Sequence, residues 1–133
     1  MKPVFLLCSA FLSMPALAAQ VPATFDERVS IAKAAEDDER FHPYPEQMVR
    51  GTSRSLAGAM RRCWGKSPRQ EVKSFVMVAD IQPDGRPRNV AVKPVHAVSR
   101  CFAAAFTSGR YLAPPPYPGK DGFPVTMRVD GGG

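Results

Sequence analysis

The sequence is poor in the patterns that mark enzymes, metal sites and membrane-spanning helices. It contains neither a GxSxG nor an HExxH motif, and it has no CxxC or HxxxH pair, so we expect no hydrolase site and no zinc site. Its N-terminal apolar run is far shorter than the roughly 20 apolar residues that a membrane-spanning helix needs. With 3 cysteines, 2 histidines and 1 tryptophan among 133 residues, the chain is predicted to be a protein without enzymatic activity, cofactor or metal.

The N-terminal segment, residues 1–19, has the three parts of a secretory signal peptide. Lys2 supplies the positive charge, Val4 to Leu12 form the apolar segment, and Ala16-Leu17-Ala18 place small residues before the cleavage site. We expect cleavage after Ala18 or Ala19, and therefore a periplasmic or secreted protein; a retained anchor is the alternative, which the short apolar segment disfavours. About 114 residues remain, which suffice for one domain but not for two.

The cleavage removes Cys8 and leaves Cys63 and Cys101 as an even pair in an oxidising compartment. Both cysteines fall on the apolar stripes of predicted helices, so we expect them to face the core and to form a disulfide. A cross-link that closes a loop of about 40 residues stabilises a fold by roughly 4 kcal/mol in the chain-entropy model. The alternatives are a zinc site that adds His42 or His96, and a reactive thiol; the spacing disfavours the first and burial the second.

Three helices are predicted from capping signals and from apolar residues at helical spacing. Thr24 and Glu27 form a capping box that begins a short helix ending near Ala35. The second helix begins at Glu46 and stops before Gly65, and the third covers residues 97–107. Each of the last two has an apolar stripe that includes a cysteine: Val49, Thr52, Leu56, Ala59, Met60 and Cys63 in one, and Val98, Cys101, Phe102, Ala105 and Phe106 in the other.

Three strands are predicted from period-two alternation and from turn signals. The first covers residues 71–81, and Pro83-Asp84-Gly85 reverses the chain into a second strand over residues 89–93. Residues 123–129 alternate between apolar and polar side chains and form the last strand, after a proline-rich connector at residues 113–118. The predicted fold class is therefore α+β, with two helices packed on one face of a three-stranded antiparallel sheet in the order α-β-β-α-β, preceded by a short helical leader.

The charge is unevenly distributed along a chain whose formal net charge is +6. We interpret residues 20–47 as an acidic helical leader and linker, residues 48–130 as a basic domain and residues 131–133 as a flexible tail. Arg54, Arg61 and Arg62 fall on the solvent side of the second predicted helix. A basic face favours an anionic polymer, a membrane surface or an acidic protein as partner, although ordinary solubility charge is the simpler interpretation. Nucleic acid is not expected, because no aromatic residues are interleaved with the bases.

The last predicted strand is the candidate contact surface. If it lies at the edge of the sheet, its unpaired amides and carbonyls can pair with an extended segment of a partner. Thr126 and Arg128 would then set the register and the charge preference of the pairing. Pro124 removes one donor, which is also how natural edge strands limit unwanted pairing.

The element order, together with the run from Ile81 to Val92 and its Pro-Asp-Gly turn, resembles the C-terminal domain of the TonB and TolA envelope proteins. The resemblance covers residues 48–130 and includes the helix, the aromatic and proline-rich stretch and the final strand that follow the hairpin. It implies a stand-alone periplasmic module that offers a sheet edge to a protein partner. It does not imply energy transduction, because that role needs an uncleaved membrane helix and a long spanning segment.

Our sequence-based hypothesis is a non-enzymatic adaptor of the cell envelope that binds a protein through the last strand or the basic helix face. An inhibitor or immunity protein for a periplasmic enzyme is the first alternative, and it is suggested by the small size and the export signal. A binder of peptidoglycan or anionic lipid is the second, and it is suggested by the excess of bases after residue 48.

Overall fold

The computed structural model describes residues 21–65 and 73–131. The predicted signal peptide, the start of the first predicted strand and the last two residues of the tail lie outside these described residues. Within them the chain forms three helices, one 3₁₀ turn and three strands in the predicted order: α1 (Phe25–Asp37), the 3₁₀ turn (Glu39–Phe41), α2 (Tyr44–Trp64), β1 (Phe75–Ile81), β2 (Pro87–Lys93), α3 (Ala97–Thr107) and β3 (Phe123–Val129).

The helix boundaries follow local capping chemistry. Thr24 Oγ1 accepts a 3.2 Å hydrogen bond from the Glu27 amide, and the Thr24 amide donates a 3.0 Å hydrogen bond to the Glu27 carboxylate. These two bonds confirm the predicted capping box. α2 begins at Tyr44, two residues before the predicted start, because a proline in the first helical turn lacks only an amide that would be unpaired anyway. His96 caps α3 by accepting the Ser99 amide on Nδ1 at 3.2 Å.

The sheet is antiparallel with strand order β2-β1-β3, so β1 is central. Alternation along β1 sends Phe75, Met77, Ala79 and Ile81 to one face, where each is 2 % exposed or less. α3 packs over β2 on this face, and the rings of Phe75 and Phe102 are 5.5 Å apart. α2 lies beside α3 and contributes Tyr44 and Met48 to the same core. The predicted α+β class with two helices on one face is confirmed.

The leader helix α1 packs against the opposite face of the sheet, mainly under β3. Val78 points to this face and is only 1 % exposed, whereas Val76 and Asp80, which share the face by alternation, are half-buried. Arg28 of α1 reaches Asp80, which has the same orientation as Val78, at 3.7 Å. The chain then passes around the end of β3, where the ring of Phe41 packs on Phe123 at 5.3 Å. The fold therefore has three layers, with the sheet between α1 and the α2-α3 pair.

A disulfide joins α2 to α3. Cys63 and Cys101 are bonded, and their Cα atoms are 5.6 Å apart. The predicted pairing is confirmed. Cys63 is buried and Cys101 is half-buried, so the bond lies at the margin of the core and connects the helix that borders β3 to the helix that borders β2.

The hairpin between β1 and β2 depends on Gly85. Its φ is +83°, and a Cβ atom at this position would overlap the carbonyl oxygen of Tyr111. The Tyr111 amide donates a 2.8 Å hydrogen bond to the Gly85 carbonyl. The predicted Pro-Asp-Gly turn is thus pinned from outside by the segment that follows α3, because only glycine leaves room for this approach.

Candidate functional site

In the described part of the chain, β3 pairs with β1 alone and is therefore an edge strand. Its pairing with β1 is continuous from Phe75 opposite Val129 to Ile81 opposite Phe123, with no shift of register. The predicted contact residues Pro124, Thr126 and Arg128 lie opposite Asp80, Val78 and Val76 in turn. The three are alternate residues of the strand, so their backbone NH and CO groups point in the same direction.

Two prolines determine which backbone groups of β3 are unpaired. Residues opposite each other in an antiparallel pair either exchange both hydrogen bonds or none, in strict alternation. Pro124 has no amide proton, so Pro124 and Asp80 form a pair that exchanges no hydrogen bonds. Pro87 of β2 lies opposite Ile81 and also has no amide proton, so the backbone groups of Ile81 point toward β3 and those of Asp80 point away from it. This second proline therefore gives the same assignment independently. It follows that the amides and carbonyls of Thr126 and Arg128 point away from β1, toward the open edge.

The two ends of this edge differ in exposure. Pro124 is buried, at the end that the 3₁₀ turn and Phe41 cover. Thr126 is half-buried, and its hydroxyl donates a 3.0 Å hydrogen bond to the Met77 carbonyl. Arg128 is exposed and its Nε donates to Asp130 at 2.8 Å. The accessible part of the edge therefore runs from Thr126 to Arg128, and the backbone of Thr126, rather than its hydroxyl, is available to a partner.

An apolar groove follows this edge between α1 and α2. It encloses a cavity of about 50 Å³, which has room for a small aliphatic side chain rather than for an aromatic ring. Val125 and Met127 of β3 and Met48 of α2 line it, with Glu36 of α1 at its rim. Val49, which the helical pattern predicts to face the core, lies at the rim and is 57 % exposed, because no element among the described residues continues past β3 to cover it.

The predicted basic contact residues lie on a different surface. Arg54, Arg61 and Arg62 are exposed on the side of α2 that faces away from the core. They are not brought together with Pro124, Thr126 and Arg128. The two alternatives of the sequence hypothesis, the last strand and the basic helix face, are therefore separate surfaces in the structure: the β3 edge and the outer face of α2.

The titratable groups with perturbed pKa values have structural roles. Burial raises the pKa of Tyr44 to about 12 and that of Tyr111 to about 12. Their hydroxyls donate to the carbonyls of Leu112 and Phe106 at 3.1 and 2.9 Å. The hydrogen bonds from Arg40 lower the pKa of Asp38. Each group holds a loop or a helix end, and none of them faces the groove.

The two histidines are also held apart from the groove. His42 Nε2 lies 2.8 Å from the Glu36 carbonyl, and His96 caps α3. Residues 21–65 and 73–131 contain no group of three or more histidine, cysteine, aspartate or glutamate side chains that could hold a metal ion. The same residues include no helix that is both long and apolar enough to cross a bilayer.

Comparisons with protein-family models, with curated proteins and with solved structures find no match for this chain. The resemblance to the TonB and TolA C-terminal domains therefore stays a prediction that rests on element order and on the hairpin turn. The geometry of β3 is the stronger starting point for a function.

Proposed function

We propose that this chain is an exported, non-enzymatic adaptor of the cell envelope that binds a protein partner by adding an extended segment to β3. The observation that carries the proposal is the regular, unprotected edge at Thr126 and Arg128, whose amides and carbonyls point away from β1. An incoming strand gains main-chain hydrogen bonds from such an edge, and the pockets beside it select alternate side chains.

The walls of the groove define the chemistry of the segment. Side chains that point toward α2 meet Val49, Val125 and Met127, so apolar residues of small size fit there. Side chains that point toward α1 meet Glu36, and Asp37 is close by in an adjoining open depression, where Glu46 is paired with Arg50. Positive charge at that end of the segment is favoured, because opposite charges at an interface steer and orient the encounter.

Three further features support a role in the envelope. The disulfide between Cys63 and Cys101 is of a kind that persists in oxidising compartments, and the N-terminal sequence has the features of an export signal. The resemblance to the TonB and TolA C-terminal domains implies the same use of a sheet edge. Together these features favour a protein partner in the periplasm over a cytoplasmic one.

The decisive variant is Thr126→Pro, because it removes one outward amide and leaves the hydrogen bonds to β1 in place. Thr126→Val is the matched control, since it also loses the hydroxyl bond to Met77 but keeps the amide. In capture from envelope extracts, the wild type and Thr126→Val should retain the same partner, and Thr126→Pro should retain about tenfold less. Equal recovery by all three proteins would reject pairing at this edge.

A second control addresses the other edge of the sheet. Val92 lies opposite Met77 on β2, where the alternation also points its amide outward. Val92→Pro should therefore leave partner recovery unchanged if β3 alone is the docking edge. Hydrogen exchange on the purified complex gives the direct readout, because the amides of Thr126 and Arg128 should slow on binding while that of Val92 should not.

A further inference from the structure

The outer face of α2 has a cluster of guanidinium groups around a glycine. Arg54 lies four residues before Gly58, and Arg61 and Arg62 lie three and four residues after it, so all three are its neighbours on the helix surface. Arg62 Nη1 and Arg61 Nη2 are 3.4 and 3.9 Å from the position that a Cβ atom would take at Gly58. Two guanidinium groups thus converge over bare backbone.

The cluster has no anionic counterpart in the described residues. Glu46 is the only acid of α2, and it is paired with Arg50 at 3.3 Å. None of the salt bridges within residues 21–65 and 73–131 includes Arg54, Arg61 or Arg62. Like charges at this spacing repel each other on a helix, and glycine is the weakest helix former apart from proline. The unpaired arginines and the glycine therefore both lower the stability of α2.

We infer that Arg54, Arg61 and Arg62 form a binding site for a phosphate group over Gly58. Guanidinium groups present several donors in a fixed fork that matches phosphate oxygens. The missing side chain at Gly58 lets a tetrahedral anion approach the helix between the forks. The ligand chemistry is a phosphate oxyanion, which free phosphate, a phosphomonoester or the phosphodiester of a lipid headgroup can supply. The site is independent of the proposed docking at β3, because it lies on the outer side of α2.

The test uses Gly58→Glu, which places a carboxylate within pairing distance of all three arginines and also improves helix propensity. Ser53→Glu is the matched control: it makes the same charge change at an exposed position of α2, about 140° around the helix axis from Gly58, and its helix neighbours at three and four residues include Arg50 and none of the three site residues. Inorganic phosphate is titrated against the ¹⁵N-labelled protein, with sodium chloride of equal ionic strength as reference. Flotation with phosphatidylcholine vesicles, with and without a quarter of phosphatidylglycerol, tests the lipid source.

We expect phosphate-specific shifts confined to the amides around Gly58, with Kd about tenfold weaker in Gly58→Glu and unchanged in Ser53→Glu. Flotation that depends on phosphatidylglycerol and is lost in Gly58→Glu alone would identify a headgroup; phosphate shifts without flotation would identify a free phosphate or phosphomonoester. Shifts that chloride reproduces, that spread over all exposed arginines, or that both variants reduce equally would overturn the site. Partner capture by Gly58→Glu should match the wild type, which keeps this outcome separate from docking at β3.

Discussion

The two outer strands of the sheet, β2 and β3, differ in how regular and how accessible their unpaired edges are. Along β2 the register against β1 shifts between Val78 and Asp80, and Asn89 at that irregularity has a φ of 53°. Arg28 of α1 donates a 2.6 Å hydrogen bond to the Asn89 carbonyl, so one carbonyl of β2 already has a side-chain partner. Along β3 the pairing with β1 is unbroken, and a groove rather than a side chain borders the edge.

The contrast indicates which edge the fold keeps for pairing. Bulges, lysines and prolines are devices by which sheets prevent pairing with other chains. β2 has all three, with the bulge at Asn89, Lys93 at its end and Pro87 at its beginning. β3 has only Pro124, which lies at the end that the 3₁₀ turn covers. We conclude that β2 is protected at both of its ends and at the bulge, and that β3 is open from Thr126 to Arg128.

The largest expected effect comes from removal of the disulfide that joins α2 to α3. Replacement of both Cys63 and Cys101 by alanine should lower the free energy of unfolding by about 4 kcal/mol, because the unfolded chain regains the entropy of a loop that the cross-link closed. Urea unfolding of the double variant measures this loss, and the wild type in reductant is the control. A loss below about 1 kcal/mol in both samples would show that packing alone holds α2 against α3.

The next prediction separates the paired side of β3 from its open side. Val125 lies opposite Ala79 in a pair that exchanges hydrogen bonds, so Val125→Pro removes an inward donor and leaves a buried carbonyl unsatisfied. We expect a loss of about 3 kcal/mol in urea unfolding, of which Val125→Ala, the side-chain control, reproduces only a part. Thr126→Pro should lose about 1 kcal/mol, no more than Thr126→Val. Equal losses from proline at both positions would mean that the outward groups are assigned to the wrong residues.

A smaller effect should distinguish the bulged edge of β2. Asn89→Val puts a β-branched side chain in the left-handed region and should cost about 1–2 kcal/mol. It also removes the side-chain amide of Asn89, which donates a 3.0 Å hydrogen bond to the Asp80 carboxylate. Asn89→Gly loses the same hydrogen bond but tolerates the backbone, so the difference between the two variants in thermal unfolding isolates the strain. A valine variant as stable as the glycine variant would argue against a bulge with positive φ at this position.

Most helices and strands were predictable because their signals are local. The capping box at Thr24, the alternation along β3 and the glycine of the hairpin turn each act within a few residues, and the structure has them where they were expected. The disulfide was predictable from the count of cysteines and from their places on two apolar stripes. The early start of α2 was missed because the prolines at residues 43–45 were interpreted as a linker rather than as the first turn of a helix.

The third layer and the groove were not predictable, because their signals are weak or distant. α1 buries small residues, Ala32 and Ala35, instead of a stripe of large ones, and the outer face of β1 offers only Val78 as a fully buried apolar partner. The groove needs residues from α1, α2 and β3 that no short-range pattern links. The three arginines around Gly58 were visible in the sequence, but they were interpreted only as a basic face of the second helix.

The smallest expected effect compares one exposed valine at each edge. Val49 borders the groove beside β3 and is 57 % exposed, whereas Val95 follows β2 and is 66 % exposed. If a partner strand covers the groove, Val49→Ala should weaken the affinity for the captured partner by about threefold to fivefold, which is the burial of one or two methyl groups discounted for a partly covered site. Val95→Ala should leave the affinity unchanged, and neither variant should alter thermal unfolding measurably, since both side chains are exposed in the free protein. Isothermal titration with the partner segment resolves a difference of this size. Equal weakening by both valines would place the partner across the end of the sheet rather than along β3, and it would remove the distinction between an open and a protected edge.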